Sequence, residues 1–68
     1  MNIGFIGTGK IASSVIIGIC NSKILFTKIF ISPRNKLIAK SLKKRFKKIT
    51  IAKNNQEVID KSNWIFLS

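Results

Sequence analysis

The feature that most constrains the fold of this 68-residue chain is a glycine turn placed directly after a short apolar run. Residues 2–6 suit a strand that is buried on both faces, and the next six residues read Gly-Thr-Gly-Lys-Ile-Ala. From Lys10 onward, apolar residues recur at helical spacing. Backbone N–H groups at such a strand-to-helix turn can approach an anion closely, so the segment predicts a phosphate-binding turn.

The turn also matches the spacing G-x-G-x-x-G/A, which is typical of a Rossmann βαβ unit that binds a dinucleotide. Gly7 would allow the tight turn, and Gly9 would let the backbone approach the pyrophosphate without a β-carbon in the way. Ala12 is small enough for close packing of the helix on the strand. The alternative is that the glycines only form a tight turn.

The rest of the chain continues the alternation of strands and helices. The predicted order is β-α-β-α-β-α-β with short connections, which indicates an α/β fold with a parallel sheet between helical layers, that is, a partial three-layer Rossmann fold. Trp64, in the last strand, is expected in the core. The predicted elements are a strand at 2–6, a helix at 10–21, a strand at 28–32, a helix from 36 to about 48, a strand at 49–52, a short helix capped by Asn54 or Asn55, and a strand at 64–67.

The segment Ser32-Pro33-Arg34-Asn35 lies where this fold places the group that contacts the adenosine ribose. An acidic residue there would bind the ribose of NAD, and the segment has none. Ser32 and Asn35 can donate hydrogen bonds, and Arg34 offers a planar guanidinium to a phosphate. The segment therefore favours NADP over NAD. Alternatively, it only ends a strand and caps the following helix.

The formal charge of +11 would favour a polyanionic ligand, and it leaves open a small basic nucleic-acid-binding protein as a function of a different class. The competing explanation is compositional bias, because Ile, Lys and Asn dominate the sequence. No aromatic residues interleave with the exposed basic positions to stack on bases, so we do not favour nucleic-acid binding. The chain has no histidine and one cysteine, which cannot form a zinc site or an internal disulfide. We expect a cytoplasmic protein without a membrane partner.

Four segments together resemble the N-terminal NADP-binding domain of the pyrroline-5-carboxylate reductase family, over the whole length and in one register. The first is the opening Ile3-Gly4-Phe5-Ile6-Gly7-Thr8-Gly9-Lys10-Ile11-Ala12-Ser13, and the second is Ser32-Pro33-Arg34-Asn35. The others are Asn55-Gln56-Glu57-Val58-Ile59 and Trp64-Ile65-Phe66-Leu67-Ser68.

This resemblance implies an oxidoreductase of proline biosynthesis that uses NADPH to reduce 1-pyrroline-5-carboxylate to proline. It also implies that Ser32 touches the adenosine ribose or its phosphate and that Asn55 contacts the adenosine half of the cofactor. Judged from the residues alone, Asn55 could equally be a helix cap. By the same resemblance, the residues along the pyrophosphate are Ile6, Gly7, Thr8, Gly9, Lys10 and Ile11.

In that family the substrate and dimerisation surfaces belong to a helical C-terminal domain, which residues 1–68 do not include. We therefore expect an incomplete dinucleotide-binding domain that is uncertain as an enzyme by itself. No catalytic residue can be named. We expect pyrroline-5-carboxylate to be a partner of a full-length form alone. We also expect the family's oligomerisation surface to be absent. A related alternative is a fragment of another NAD(P)-dependent enzyme, such as a prephenate or hydroxyacid dehydrogenase.

Overall fold

The computed structural model describes residues 1–7, 10–23, 25–33 and 36–67. Strands and helices alternate through these residues in the predicted order, so the expected α/β class with a partial Rossmann-like fold is confirmed. The elements are β1 (Asn2–Ile6), α1 (Lys10–Cys20), β2 (Lys28–Ile31), α2 (Lys36–Arg45), β3 (Ile49–Ile51), α3 (Asn55–Lys61) and β4 (Trp64–Leu67).

The four strands form one parallel sheet in the order β3-β2-β1-β4. In β1, Ile3 pairs with Ile29 of β2 on one side and with Trp64 of β4 on the other. The chain thus adds strands outward from β1 in one direction, to β2 and β3, and then crosses back to place β4 on the opposite side of β1. Because all three pairings are parallel, the carboxyl ends of the four strands lie at one edge of the sheet.

The larger part of the core lies between the sheet and the pair of helices α1 and α2. Side chains from alternate positions of the strands point into this layer, as the period of two in a strand requires. Ala12 and Ile16 of α1 and Ala39 and Leu42 of α2 cover them. The buried strand residues of this layer are Ile3, Phe5, Ile29, Ile31 and Ile49.

The smaller part of the core lies on the other face, beneath α3. Phe30, Ala52 and Val58 are buried together there, with Ile6 packed against them. Gly4 of β1 makes this packing possible: a β-carbon at Gly4 would lie 2.7 Å from Val58 Cγ1 and still closer to Ser62 Oγ. The missing side chain therefore lets α3 approach the sheet.

Helix α2 ends three residues before the predicted position, at Arg45. The Phe46 N–H still bonds to the Leu42 carbonyl oxygen, at 2.9 Å, but the Lys48 carbonyl already accepts from Ile29 N–H of β2, at 3.0 Å. Residues 46–48 are therefore the entry into the sheet, and the pairing of β2 with β3 ends the helix.

The expectation that Trp64 lies in the core is wrong, because 63% of its surface is exposed. Strand β4 is at the edge of the sheet, and no described element covers it. In α1, Ile11 and Val15 are also exposed, although they share the helical spacing of buried Ala12 and Ile16. In the described ranges no helix is both long and apolar enough to cross a bilayer.

Candidate functional site

The predicted site residues belong to the edge of the sheet where the strands end. Ile6 ends β1, Ser32 follows β2, and α1 begins at Lys10. Helices α1 and α2 cover one face of the sheet and α3 covers the other, so the connections diverge between β1 and β4. In open α/β sheets, ligands bind in the crevice at such a switch point, outside the carboxyl ends of the strands.

Gly7 makes the turn that leaves β1. Its φ of 88° lies in the left-handed region, which L-residues with a side chain rarely adopt. Gly7 is buried, and its backbone N–H donates to Ser32 Oγ at 3.1 Å. The predicted need for glycine at this position is confirmed by the backbone, and the hydrogen bond fixes the start of the turn to the end of β2.

Ser32 is fully buried. Its own N–H donates to the Phe5 carbonyl oxygen at 3.0 Å, which extends the ladder between β1 and β2 by one residue. Its hydroxyl accepts from the turn that is predicted to hold the pyrophosphate. Ser32 thus supports the glycine turn from below, and its direct contact with a ribose stays a prediction.

The first turn of α1 carries the exposed side chains of Lys10 and Ile11. This turn contains no acidic residue, so no carboxylate neutralises the positive end of the helix dipole. Ile11 is 78% exposed and contributes nothing to the core. Both side chains are therefore accessible to a ligand at this edge.

Asn54, not Asn55, is the N-cap of α3. The Asn54 Oδ1 accepts from Glu57 N–H at 2.9 Å, and Glu57 Oε1 accepts in turn from Lys53 N–H at 3.2 Å. This reciprocal arrangement resembles a capping box. Asn55 is the exposed first residue of the helix, so the cap interpretation of Asn55 is wrong, and its contact with the cofactor stays a prediction.

Four of the predicted site residues lie outside the described residues: Thr8, Gly9, Arg34 and Asn35. The described members of the set, which the fold brings to the strand ends, are Ile6, Gly7, Lys10, Ile11, Ser32 and Asn55. Ile6 is half-buried and packs toward α3, on the face of the sheet opposite α1.

The net charge of the chain suits an anionic ligand. The chain has two carboxylates, Glu57 and Asp60, and both belong to α3. The first 56 residues therefore contain no acidic side chain, and Lys10 and Lys36 begin α1 and α2 at the carboxyl edge. The larger basic group, residues 43–45 in the last turn of α2, lies at the opposite edge of the sheet. The net positive charge would attract a ligand with several phosphates to the molecule as a whole.

Sequence reasoning missed two residues that set how closely α3 packs on the sheet. Gly4 lies in β1, two residues before the strand ends, and Ser62 lies directly after α3, where a β-carbon on Gly4 would collide with it. A glycine inside a strand is itself a sign of close approach by another segment, so Gly4 could have been identified. Ser62 gives no such sign, because its contact depends on where α3 crosses the sheet.

The sole cysteine lies at the other end of the molecule, away from the strand ends. Cys20 is the last residue of α1 and lines a cleft of about 290 Å³ with Phe26, Phe46 and Lys48. Burial raises the pKa of the Cys20 thiol, and the positive charge of Lys48 opposes part of that shift. A thiol kept neutral in this way is a poor nucleophile, so Cys20 is a packing residue.

Residues 2–68 match the model of the family described as NADP oxidoreductase, coenzyme F420-dependent. The match includes the glycine turn, Ser32, Asn55 and every strand of the sheet. No curated protein and no solved structure shows significant similarity to the chain.

Proposed function

The chain belongs to the NADP oxidoreductase, coenzyme F420-dependent family, and from this we propose that it binds NADP(H) at the carboxyl edge of its sheet. The observation that carries the proposal is the buried Gly7 turn, which has a φ of 88° and is bonded to Ser32 at the switch point between β1 and β4. The family makes the chain a domain of a dinucleotide-dependent oxidoreductase. The choice of NADP and the residues that hold it are our proposals.

In this proposal the pyrophosphate lies over the turn and the N-terminus of α1. Free N–H groups at a helix start and the positive end of its dipole favour the phosphate charge. Lys10 adds a mobile positive charge at the same place, and the exposed Ile11 offers an apolar surface beside it. Ser32 acts from beneath by holding the Gly7 N–H, and Asn55 faces the adenosine half of the cofactor.

Selectivity for the 2′-phosphate of NADP is assigned to Arg34 and Asn35. A carboxylate at the end of β2 would repel that phosphate, and residues 32–35 contain none. A guanidinium can instead form two parallel hydrogen bonds to a phosphate. We therefore expect Arg34 to contribute to NADPH affinity and little to NADH affinity.

The experiment is a calorimetric titration of the folded chain with NADPH and with NADH, for the natural sequence and for Arg34→Ala. A charge-assisted bidentate contact contributes about 1.5–3 kcal/mol, so NADPH affinity should fall roughly 10- to 150-fold in the variant. Lys44→Ala is the matched control, because it removes an exposed positive charge near the end of α2. Equal weakening by both substitutions, or no binding by a chain with an intact circular dichroism spectrum, would refute the assignment.

We further propose that this domain serves a reductase of 1-pyrroline-5-carboxylate, in which the nicotinamide delivers hydride to the C=N bond and proline is formed. The support is the resemblance of the four segments, together with the occurrence of this domain in pyrroline-5-carboxylate reductases. The residues of this chain would hold and orient the cofactor, and we assign none of them to proton transfer or to the substrate.

A chimera tests the substrate. Residues 1–68 replace the corresponding segment of a pyrroline-5-carboxylate reductase and, in parallel, of a prephenate dehydrogenase. We expect NADPH-dependent proline formation by the first chimera, and a much weaker activity of the second chimera in the reaction of its own parent enzyme. Gly7→Val in the first chimera is the control, because a β-branched residue cannot readily take a φ of 88°. A folded first chimera without activity, beside an active second chimera, would contradict the substrate.

A further inference from the structure

A basic surface lies at the amino edge of the sheet, opposite the proposed cofactor site. Helices α1 and α2 both end at this edge, and the loops that follow them lead into β2 and β3. Helix α1 spans about 16 Å, so Lys10 at its start and Cys20 at its end belong to different edges. The exposed basic residues at the amino edge include Lys23, Lys28, Lys44, Arg45, Lys47 and Lys48.

Part of this basic surface forms the cleft of about 290 Å³ that Cys20 lines. Its walls are the ends of α1 and α2 and the loops before β2 and β3, on the side of the sheet away from β4. Three cations line the cleft together with two half-buried rings: Arg45, Lys47, Lys48, Phe26 and Phe46. The composition of the cleft therefore does not depend on what lies beside β4.

The fold brings each of these rings beneath a cation. The guanidinium carbon of Arg45 lies 5.4 Å from the centroid of the Phe46 ring, and Lys48 Nζ lies 4.9 Å from the centroid of the Phe26 ring. Phe26 and Lys48 are 22 residues apart, so their proximity is not visible in the sequence. The sequence argument against nucleic acid, that no aromatic residues interleave with the exposed basic positions, therefore does not apply at the cleft.

The cations of the cleft have no carboxylate partner among the described residues. The acidic residues of the chain, Glu57 and Asp60, belong to α3 on the other face of the sheet. Lys48 Nζ instead donates to the Phe26 carbonyl oxygen, at 3.3 Å. Positive charges that lie close together without a counter-charge repel one another, and an anion bound in the cleft would remove that repulsion.

The helix dipole explains part of this arrangement and leaves the rest unexplained. Basic residues are favourable in the last turn of a helix, and residues 43–45 occupy the last turn of α2. Lys47 and Lys48 lie beyond the helix, and Lys23 and Lys28 come from a different segment of the chain. Basic residues that separate segments bring to one surface are typical of a binding site for a polyanion.

We propose that the cleft and the basic surface around it bind single-stranded nucleic acid. Phosphates of the strand contact Arg45, Lys47 and Lys48, and a base stacks on the Phe26 ring or on the outer face of the Arg45 guanidinium. Unpaired bases stack on aromatic rings and on guanidinium planes in this way, while basic side chains follow the backbone. A volume of about 290 Å³ is at the low end for a ligand site, which suits one nucleotide of the strand.

A single strand fits this surface better than a duplex, a free nucleotide or a membrane. The faces of bases in a duplex are covered by their neighbours and cannot reach a ring. Outside the cleft, Lys23, Lys28 and Lys44 offer partners to further phosphates, which a mononucleotide does not have. An anionic membrane is attracted to any cationic surface, but it presents no planar group to a concave site.

The experiment measures the fluorescence anisotropy of a labelled single-stranded RNA of about ten nucleotides as the chain is added. Three phosphate contacts predict a slope of about −2 for the logarithm of affinity against the logarithm of salt concentration, so affinity should fall roughly 20-fold between about 0.05 and 0.2 M NaCl. The same RNA as a duplex should bind roughly tenfold more weakly, because stacking is lost. Uridine monophosphate and vesicles of anionic lipid should compete poorly.

Substitutions separate the cleft from the net charge. Arg45→Gln combined with Lys47→Gln removes two phosphate contacts, so the affinity should fall roughly tenfold or more and the slope should become shallower by about 1.4. Lys40→Gln combined with Lys53→Gln is the matched control, because it removes two exposed positive charges outside the cleft and should leave the slope unchanged. Phe26→Leu keeps an apolar side chain without a ring and should lower the affinity roughly fivefold or more.

Circular dichroism shows whether each variant is folded. Should Phe26→Leu unfold, the amide chemical shifts of the natural chain locate the bound RNA without any substitution. RNA should move the signals of Ser22, Phe26 and Lys48, which belong to the cleft, and should leave those of Gly7 and Lys10 at the carboxyl edge in place.

The proposal does not depend on the cofactor site. Because the two surfaces lie at opposite edges of the sheet, NADPH should not displace the RNA, and Arg34→Ala should leave RNA affinity unchanged. A chain that fails to bind NADPH can therefore still bind RNA. Equal effects of the cleft pair and the control pair, tighter binding of the duplex or of the mononucleotide, displacement of RNA by anionic vesicles, or shifts confined to the carboxyl edge would overturn the proposal.

Discussion

Replacement of Gly4 by alanine tests how closely α3 packs on the sheet. The new β-carbon would lie 2.7 Å from Val58 Cγ1 and 2.8 Å from Ser62 Cβ, distances that real β-carbons essentially never show. Val58 is fully buried and cannot swing away, so the helix or the strand must shift. Overpacking of this kind costs about 1–3 kcal/mol. In a domain of this size the melting temperature should fall by roughly 5–20 °C.

Thermal unfolding followed by circular dichroism at 222 nm measures the change. Gly18→Ala is the matched control, because Gly18 is exposed in α1 and nothing lies within 4 Å of the position that a β-carbon would take there. At that position the same substitution should stabilise the fold by about 0.5–1 kcal/mol, since alanine favours a helix over glycine. Both substitutions reduce the backbone entropy of the unfolded chain in the same way. A loss of stability in Gly4→Ala beside a gain in Gly18→Ala therefore assigns the loss to packing.

Ser62→Ala provides the converse test. Among the described residues, the buried Ser62 Oγ has no hydrogen-bond partner, so its removal should not destabilise the fold and should relieve part of the clash in Gly4→Ala. The reasoning is refuted if Gly4→Ala melts at or above the temperature of the natural chain. It is also refuted if Ser62→Ala leaves the loss in Gly4→Ala unchanged.

Three further outcomes follow from single contacts. Asn54→Ala should destabilise the chain by about 1 kcal/mol through loss of the α3 cap, whereas Asn55→Ala should change stability by a few tenths of a kcal/mol. Urea unfolding measures both changes, and a larger loss for Asn55→Ala would mean that Asn55 is the cap. Ser32→Ala removes the acceptor of the buried Gly7 N–H and should cost about 1–3 kcal/mol, together with weaker NADPH binding in calorimetry; an unchanged stability would mean that this hydrogen bond contributes little. Because burial raises the pKa of Cys20, the folded state favours the neutral thiol, so the stability that this contributes is present below the ordinary thiol pKa of 9.0 and is lost as pH rises above it through the raised pKa of the folded state. The melting temperature above pH 9.0 should therefore fall less steeply for Cys20→Ser than for the natural chain, and equal slopes would contradict the shift.

The order and type of the elements could be predicted because each depends on local pattern. The bounds of β1 agree with prediction because the glycine turn ends the apolar run sharply. The end of α2 does not, because the hydrogen bond from the Ile29 N–H to the Lys48 carbonyl oxygen decides it, and that contact joins residues 19 apart in sequence. Trp64 shows the same limit: β4 is as apolar as the central strands, and only the strand order puts it at an edge.

In the candidate site too, some features follow from the local sequence and others depend on contacts between distant residues. The need for glycine at position 7 follows from the turn itself, and the structure bears it out. The part played by the Ser32 hydroxyl depends on the register of β1 against β2, so the sequence could place the residue at the strand end without showing that it binds the Gly7 amide. The choice between Asn54 and Asn55 as the cap required the backbone, since both residue types are good N-caps.

Because of its hydrogen bond to Ser32, the Gly7 amide can also be used to measure how often the ends of β1 and β2 separate. The Gly7 amide is buried and held by a residue that follows β2, so its exchange with deuterium requires the ends of β1 and β2 to separate. Protection measured at this one amide thus gives the free energy of opening at the edge where the cofactor is proposed to bind. A ligand that bridges the two strand ends would slow this exchange even where it leaves global unfolding unchanged.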